Sequence, residues 1–518
     1  MSLLFISPIL LAMVMIVVGL RRRKRYLPLP PGPKGLPLIG NFFDMPTMYE
    51  WEKYMEWAKQ YDTDILYLNV AGKSIVVLDT YEACNELLEK RSRYYSSRPP
   101  FPMAIDLMGM DFNFSFIPYG DKWRARRRLF HSVFHESASA RFRPLEKKVA
   151  HRFLRSMLSA GEDGLEDMVR HMAGALVLGI AYGVDIKSDE DQRVIDARAL
   201  MHMLAGSTIQ GSYLVNNVPA LKYVPDWMPG AGFKRVAREW RPRAQGIVDR
   251  PFEEVKKSLT DGSFPAQSFV RTTLEKGGDE RAIRDAAATM YNAATDTTVT
   301  NILNFVLAIL DHPEIQRRAQ AELDAVLGPL QTAEGKPGQM PTFEHASQLP
   351  YTTAVVRESA RYRPVVPAGV SHAYNGEQPD VYNGYAIPCD SIIIPNIWSM
   401  AHNEDIYPDS YAFKPERFLA ADGTLDPNVP DPAKIVFGFG RRACPGRHMA
   451  YDSVWLMLAS ILRVYNIEKV KRPDGTVIEP RREWLSSLIQ VPKPFKCAFA
   501  PRSSAAEAMI RSTEAMEY

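Results

Sequence analysis

One cysteine near the carboxyl end of the chain lies in a loop that constrains the fold more than any other segment. Residues 437–446 read FGFGRRACPG, so Cys444 follows two closely spaced glycines and precedes a third. Glycine lets backbone N–H groups crowd around a sulfur atom, and such hydrogen bonds stabilise a thiolate. Phe437 can shield that sulfur from water, and Arg442 lies within reach of a carboxylate on a bound group. The loop therefore predicts a thiolate ligand for iron.

Two other interpretations of the loop are weaker. A buried cysteine usually behaves as a small apolar residue, and Cys84, Cys389 and Cys497 are interpreted in this way. Gly438, Gly440 and Ala443 also match a loose dinucleotide-binding fingerprint. In that case a helix would have to begin across the Cys-Pro-Gly segment, and too little chain follows to build a doubly wound sheet.

The loop resembles the haem-binding signature of cytochromes P450, Phe-x-x-Gly-x-Arg-x-Cys-x-Gly, and every fixed position is met. The resemblance implies that Cys444 is the axial ligand of the iron of haem b. It also implies that Phe437, Arg442 and Gly446 complete the cofactor-binding loop, with Arg442 on a haem propionate. Thiolate ligation favours cleavage of the O–O bond.

A second motif of the family concerns structure rather than chemistry. Glu358 and Arg361 match its Glu-x-x-Arg, with acid and base on one helix face, and the segment Pro415–Phe418 supplies a further arginine, Arg417. The resemblance implies a buried cluster of Glu358, Arg361 and Arg417. Glu314 and Arg317 have the same spacing, but they lie in a charged segment that indicates a solvated helix.

The segment 286–310 predicts a long buried helix that carries an acid and a hydroxyl in an apolar stretch. Both groups need partners in a protein core. The stretch resembles the family's oxygen-activation motif, which implies that Asp296 and Thr297 deliver protons. Ala294 stands where the family usually has glycine, so its methyl group is expected to narrow the oxygen groove.

Three more residues are implied as haem contacts by the resemblance. Trp123 and Arg127 match the family's Trp-x-x-x-Arg, in which the indole N–H and the guanidinium bind a propionate. His372 falls where related members place another propionate donor. A basic solvated helix face would explain the arginines near Trp123, but it would not explain the tryptophan.

The amino-terminal segment predicts attachment to a membrane. Residues 1–20 are apolar enough and long enough to cross the hydrocarbon layer, and five basic residues follow at 21–25. Charge after the apolar run rather than before it argues against a cleaved signal peptide and places the rest of the chain in the cytosol. We therefore expect a transmembrane anchor (1–20), a basic and proline-rich hinge (21–41), one catalytic domain (42–502) and a disordered tail (503–518). In microsomal relatives this arrangement implies a single-pass protein of the endoplasmic reticulum.

Composition agrees with a cytosol-facing globular domain. The 63 basic and 60 acidic side chains give a net charge of +3, which argues against nucleic acid as a partner, and four cysteines in 518 residues indicate a reducing compartment. Helical periodicity dominates, with strand-like runs at 65–70, 74–78 and 391–395. The expected fold class is mainly α with a small β flank, as in the cytochrome P450 fold.

The resemblance implies a haem-thiolate monooxygenase that inserts one atom of O2 into a lipophilic small molecule. The expected electron source is NADPH, used indirectly through a separate cytochrome P450 reductase in the same membrane, with cytochrome b5 as a candidate second donor. A fungal role in secondary metabolism or xenobiotic oxidation is expected. Two alternatives stay open: a reductase-independent thiolate-haem isomerase or peroxygenase, and a non-catalytic haem-binding membrane protein.

Overall fold

Helices form most of the chain in the computed structural model, which describes residues 27–159, 161–186, 191–208, 212–263 and 267–516. The predicted transmembrane helix at 1–20 lies outside the described residues. The helices of seven residues or more in this part are α1 (Glu50–Gln60), α2 (Asp121–Phe134), α3 (Arg143–Met157), α4 (Leu165–Tyr182), α5 (Gln192–Thr208), α6 (Gly232–Asp261), α7 (Phe269–Glu275), α8 (Glu280–Asp311), α9 (Pro313–Leu327), α10 (Pro350–Tyr362), α11 (Arg447–Val464) and α12 (Ser504–Ser512).

Helix α8 is the centre of the fold. Its amino end is capped by Asp279, whose side chain accepts from the backbone N–H of Arg281, and it ends just before Pro313 begins the next helix. It packs against α2, α4, α5 and α11. Within the described residues it is the one helix long and apolar enough to cross a membrane, but 67% of its most apolar window is buried inside the protein. The structure therefore confirms a long core helix, slightly longer than the predicted 286–310.

The sheets lie at the edge of this helical body. The strands are β1 (Ile65–Val70), β2 (Lys73–Leu78), β3 (His372–Ala373), β4 (Asp380–Tyr382), β5 (Tyr385–Ile387), β6 (Ile392–Pro395), β7 (Tyr465–Glu468) and β8 (Ala498–Pro501). The main sheet has the order β1-β2-β6-β3, and β4-β5 and β7-β8 form separate pairs. The turn between β1 and β2 has positive φ at Ala71 and Gly72, as a tight hairpin requires. The predicted fold class, mainly α with a small β flank, is confirmed.

The described part of the predicted hinge packs against the body instead of standing free. The N–H of Tyr67 donates to the carbonyl of Pro31 at 2.8 Å, and the N–H of Ala386 donates to that of Pro28 at 2.8 Å. A Cβ atom on Gly32 would lie 2.1 Å from the carbonyl oxygen of Tyr67, so only glycine fits there. Residues 27–41 of the predicted hinge are therefore part of the packed body, because their backbone groups pair with strands.

The carboxyl-terminal tail is also more ordered than predicted. Helix α12 begins at a serine cap, Ser503, and buries Ala506, Met509 and Ile510 on one face. These positions have the three- and four-residue spacing of an amphipathic helix. The expected disorder at 503–518 is therefore wrong for residues 503–516, because this short apolar face packs on the core.

Candidate active site

A cavity of about 330 Å³ lies between α8 and the cysteine loop. Its wall on α8 is one helix face, with residues spaced three and four apart: Thr289, Met290, Ala293, Ala294, Thr297, Thr298 and Asn301. Cys444 lines the same cavity. The aromatic rings of Phe114, Phe130 and Phe134 contribute to an apolar wall on another side. The volume is in the range of small-molecule sites.

The cysteine loop has the backbone geometry that its glycines predict. Gly438 and Gly440 have φ of 72° and 59°, and a Cβ on Gly440 would lie 2.1 Å from the carbonyl oxygen of Leu88. The backbone N–H of Cys444 donates to the carbonyl of Phe437 at 2.7 Å. Burial raises the pKa of the Cys444 thiol, whereas the N–H of Gly446 and the nearby arginine charges oppose that effect. Coordination to a metal would deprotonate the thiol.

Two buried arginines hold the loops that enclose the cavity. Arg442 donates to the carbonyls of Ser96 (2.6 Å), Phe114 (3.1 Å) and Ile117 (2.8 Å). Arg98 donates to three further carbonyls, those of Ser115, Val370 and Ser371. Both guanidiniums line the cavity, and their hydrogen bonds in the described part of the chain go to backbone carbonyls rather than to carboxylates.

Three arginine side chains give this part of the cavity wall a positive charge that favours binding of an anion. Burial lowers the pKa of Arg98 to about 9. Burial, with repulsion from Arg98 and Arg127, lowers the pKa of Arg442 to about 8. Burial is also the main cause of the lowered pKa of Arg127. Buried charges in proteins are normally paired, so three guanidiniums around one cavity fit the two propionates of haem.

The other predicted propionate contacts lie on the same wall. Trp123 and Arg127 both line the cavity, and the Arg127 guanidinium lies 5.9 Å from the Trp123 ring centre. His372 lines it from β3, and its Nδ1 lies 2.7 Å from the carbonyl oxygen of Tyr95. Burial, with the charge of Arg98, holds the pKa of His372 well below its usual value, so the ring is neutral. Its Nδ1 then carries the hydrogen for that bond.

The structure separates Asp296 from Thr297. Thr297 faces the cavity, and its hydroxyl donates to the carbonyl of Ala293 at 3.0 Å. Asp296 is not among the lining residues and instead forms an ion pair with Arg170 of α4. Arg170 also binds Glu166 at 3.0 Å. Adjacent residues of a helix point about 100° apart, so the two side chains reach different surroundings.

The structural cluster assembles around Glu358. Arg361 donates to its two carboxylate oxygens at 2.7 and 2.8 Å, and the Nε of Arg417 lies 3.3 Å from one of them. The N–H of Lys414 adds a fourth hydrogen bond, at 2.7 Å. The side chains of Glu358 and Arg361 have no solvent exposure. The cluster ties α10 to the segment that precedes the cysteine loop.

Sequence reasoning missed Arg98 and Arg170. Arg98 lies in Ser97-Arg98-Pro99, where no spacing marks it as a ligand. Arg170 lies on an ordinary helix, 126 residues before its partner Asp296. One signal could have pointed to Arg170. Asp296 has no evident partner in its own apolar stretch, so a cation from elsewhere in the chain was needed to pair with it.

Comparisons with known proteins agree with this site. The family profile described as Cytochrome P450 matches residues 30–499. The chain is 43% identical over 511 residues to "Cytochrome P450 monooxygenase 98" of Postia placenta, covering 97% of this chain and 96% of that protein. It is 39% identical over 491 residues to "Tryptamine 4-monooxygenase" of Psilocybe cyanescens, covering 93% and 94%. The chain therefore belongs to the cytochrome P450 family of haem-dependent, oxygen-incorporating oxidoreductases.

Proposed function

We propose that this protein is a membrane-bound monooxygenase that inserts one atom of O2 into a neutral lipophilic molecule, with electrons from an NADPH-dependent reductase. The observation that carries the proposal is a single, largely apolar cavity that brings together Cys444, a cationic wall and the hydroxyl of Thr297. Haem supplies the activation of O2 and the oxidation itself when it is bound. The chain supplies ligation, orientation, protons and exclusion of water.

The proposed cofactor contacts are of two kinds: a ligand for the iron and a cationic wall that would bind the propionates. Cys444 would provide the thiolate from the glycine-rich loop. Arg98, Arg127 and Arg442 would neutralise the two propionates through charge-assisted hydrogen bonds. Trp123 lines the same wall and adds an uncharged N–H donor, whereas the neutral ring of His372 lines it with its one hydrogen already donated to the carbonyl of Tyr95. Such a wall would hold the cofactor in one orientation within the cavity.

Protons would reach the cavity through α8. The Thr297 hydroxyl faces the cavity and can pass a proton onward from its own oxygen. The neighbouring Asp296 is about one-eighth exposed, and Arg170 links it to the more exposed Glu166. Asp296 therefore lies on the surface side of the helix, where it can take up a proton when Arg170 releases it. On the other side of the helix, the Thr297 hydroxyl would pass protons to a bound group within the largely apolar cavity.

The lining favours a neutral substrate over an amine. Among the lining residues in the described ranges, Asp431 is the only carboxylate, and Arg357 holds it at 3.0 Å. An ammonium group would find no free anion in this wall. One relative is named as acting on tryptamine, but this cavity offers mainly apolar contacts. We propose a terpenoid, steroid or polycyclic aromatic substrate of fungal secondary metabolism or xenobiotic oxidation.

Membrane attachment is supported by exposed apolar side chains on two neighbouring segments, residues 36–43 and residues 214–228. Leu38 and Phe43 of the first segment are 63% and 76% exposed. The first segment pairs with the β1–β2 hairpin, and Lys73 of that hairpin donates to the carbonyl of Asn216 in the second. The second segment adds exposed large side chains at Leu214, Tyr223 and Trp227. A patch of this kind suits a lipid surface, which agrees with a single-pass protein in the endoplasmic reticulum and a cytosolic catalytic domain.

The proposed electron donors would dock on basic residues at 122–128 and 441–447, which flank the cofactor wall. Arg124, Arg128, Arg441 and Arg447 are exposed there. We propose the NADPH-dependent reductase as the donor of the first electron and cytochrome b5 as a second donor. Basic patches of this kind steer acidic partners.

The function is tested in microsomes that contain the full chain and the reductase. With NADPH and ¹⁸O2, we expect a product that carries one labelled oxygen from a neutral lipophilic substrate. Cys444→Ser should abolish both the product and the red-shifted carbon monoxide spectrum. Product formation with peroxide alone, and none with the reductase, would indicate a peroxygenase. If no apolar ligand shifts the iron spin state, the protein is a non-catalytic haem binder.

A further inference from the structure

A series of ring and guanidinium contacts that includes Tyr119 connects the exposed basic patch to the cofactor wall. The rings of Tyr119 and Trp123 lie 5.0 Å apart, centre to centre. On the inner side the Arg442 guanidinium lies 4.7 Å from the centre of the Trp123 ring. On the outer side the guanidiniums of Arg124 and Arg441 each lie 5.4 Å from the centre of the Tyr119 ring.

Tyr119 joins two parts of the chain that are far apart in sequence. Nη1 of Arg441 donates to the Tyr119 hydroxyl at 2.7 Å, across 322 positions. Arg124 lies on α2, five residues after Tyr119. One phenol thus holds two cations from different segments above the same ring. Burial raises the pKa of Tyr119, but the hydrogen bonds and charges of the two arginines outweigh it and leave the pKa below its usual value.

The surface around this phenol is basic on balance. Arg128 lies one helical turn beyond Arg124 on the same face of α2, and Arg447 begins α11. Two acids are close: Asp121 forms an ion pair with Arg124, and Glu89 accepts from the backbone N–H of Gly440. Four exposed arginines thus outnumber two carboxylates. Free arginine side chains lose rotamer entropy when a partner binds, and contact with Tyr119 reduces that loss beforehand.

We propose that Tyr119 is a positioning residue for electron-donor docking, because it fixes Arg124 and Arg441 as a preformed pair against the acidic face of the reductase. This inference rests on the proposed function. Tyr119 is not among the residues that line the cavity. The hydroxyl orients Arg441, and the ring provides a platform for both guanidiniums.

The test compares three full-length proteins in reconstituted membranes: wild type, Tyr119→Phe and Tyr411→Phe. Tyr119→Phe keeps the ring and removes only the hydroxyl that receives Arg441. Tyr411→Phe makes the same chemical change at a side chain that is 55% exposed and lies outside the docking, cofactor and membrane-binding segments. The measurements are reductase affinity, the rate of the first electron transfer under carbon monoxide at two salt concentrations, and haem content after reduction by dithionite.

We expect Tyr119→Phe to weaken reductase affinity about two- to fivefold at low salt, with a smaller difference at high salt. Haem content and the dithionite-reduced carbon monoxide spectrum should match those of wild type, since a chemical reductant needs no docking. Tyr411→Phe should behave as wild type. Equal affinity and equal electron-transfer rates in Tyr119→Phe and wild type would overturn the inference and leave the proposed function intact. A wild type that the reductase does not reduce at all would overturn both.

Discussion

Replacing Glu358 by glutamine should cause a large loss of stability. Its carboxylate accepts four hydrogen bonds, three of them from arginine nitrogens. Both oxygens accept, so the amide NH2 of glutamine would face a donor in either orientation. The side chains of Arg361 and Arg417 are 0% and 5% exposed, so water cannot replace the lost charge. Breaking a buried ion pair costs about 3–5 kcal/mol, and with two cations affected we expect the upper half of that range.

Glu416→Gln is the matched control for this prediction. Glu416 pairs with Arg318 at 2.9 Å, but the two side chains are 40% and 55% exposed. An exposed pair contributes about 0–1 kcal/mol. Urea unfolding of the haem-loaded proteins, followed by far-ultraviolet circular dichroism and by haem absorbance, gives both midpoints. Similar midpoints for the two variants would refute the argument that the carboxylate of Glu358 balances two buried cations.

Three further outcomes follow from the site and the core. Thr297→Ala should lower product formed per NADPH consumed by about tenfold or more, because it removes the hydroxyl to which we assign proton delivery; Thr295→Ala, on the same helix but outside the lining, should change it little. Arg98→Gln should speed haem transfer to an acceptor protein about tenfold or more, since one buried cation is lost from the wall. Burial raises the pKa of Asp79 to about 6. Between about pH 4 and 6 its carboxyl group is therefore protonated in the folded state and ionised in the unfolded state. As the pH rises through that window, the free energy of unfolding of the wild type should fall by at most about 3 kcal/mol, and the urea midpoint of Asp79→Asn should lack this component.

Local patterns predicted the parts of the fold that depend on neighbours in sequence. The strands at 65–70, 74–78 and 391–395 correspond to β1, β2 and β6, because apolar β-branched runs end at turn residues there. The spacing of Glu358 and Arg361 places both on one face of α10. The glycines of the cysteine loop have the positive φ that only glycine adopts readily.

Contacts between residues that are far apart in sequence could not be predicted. The partner of Asp296 lies 126 positions away, and the carbonyls bound by Arg98 belong to two separate loops. No periodicity encodes such contacts. The packing of the hinge and of helix α12 was missed for another reason. Short segments become ordered by packing against the rest of the protein, and their own composition does not show which surface they will pack against.

The hydrogen bonds of Arg98 and Arg442 have a consequence for how the holoprotein is assembled. Arg98 and Arg442, which we propose as partners of the propionates, also donate to backbone oxygens of residues 96, 114, 115, 117, 370 and 371. Propionates bound to these two side chains would reduce the repulsion between the cations and would thereby stabilise the loops whose carbonyls they bind. We therefore expect cofactor binding and the ordering of these cavity loops to be coupled during maturation.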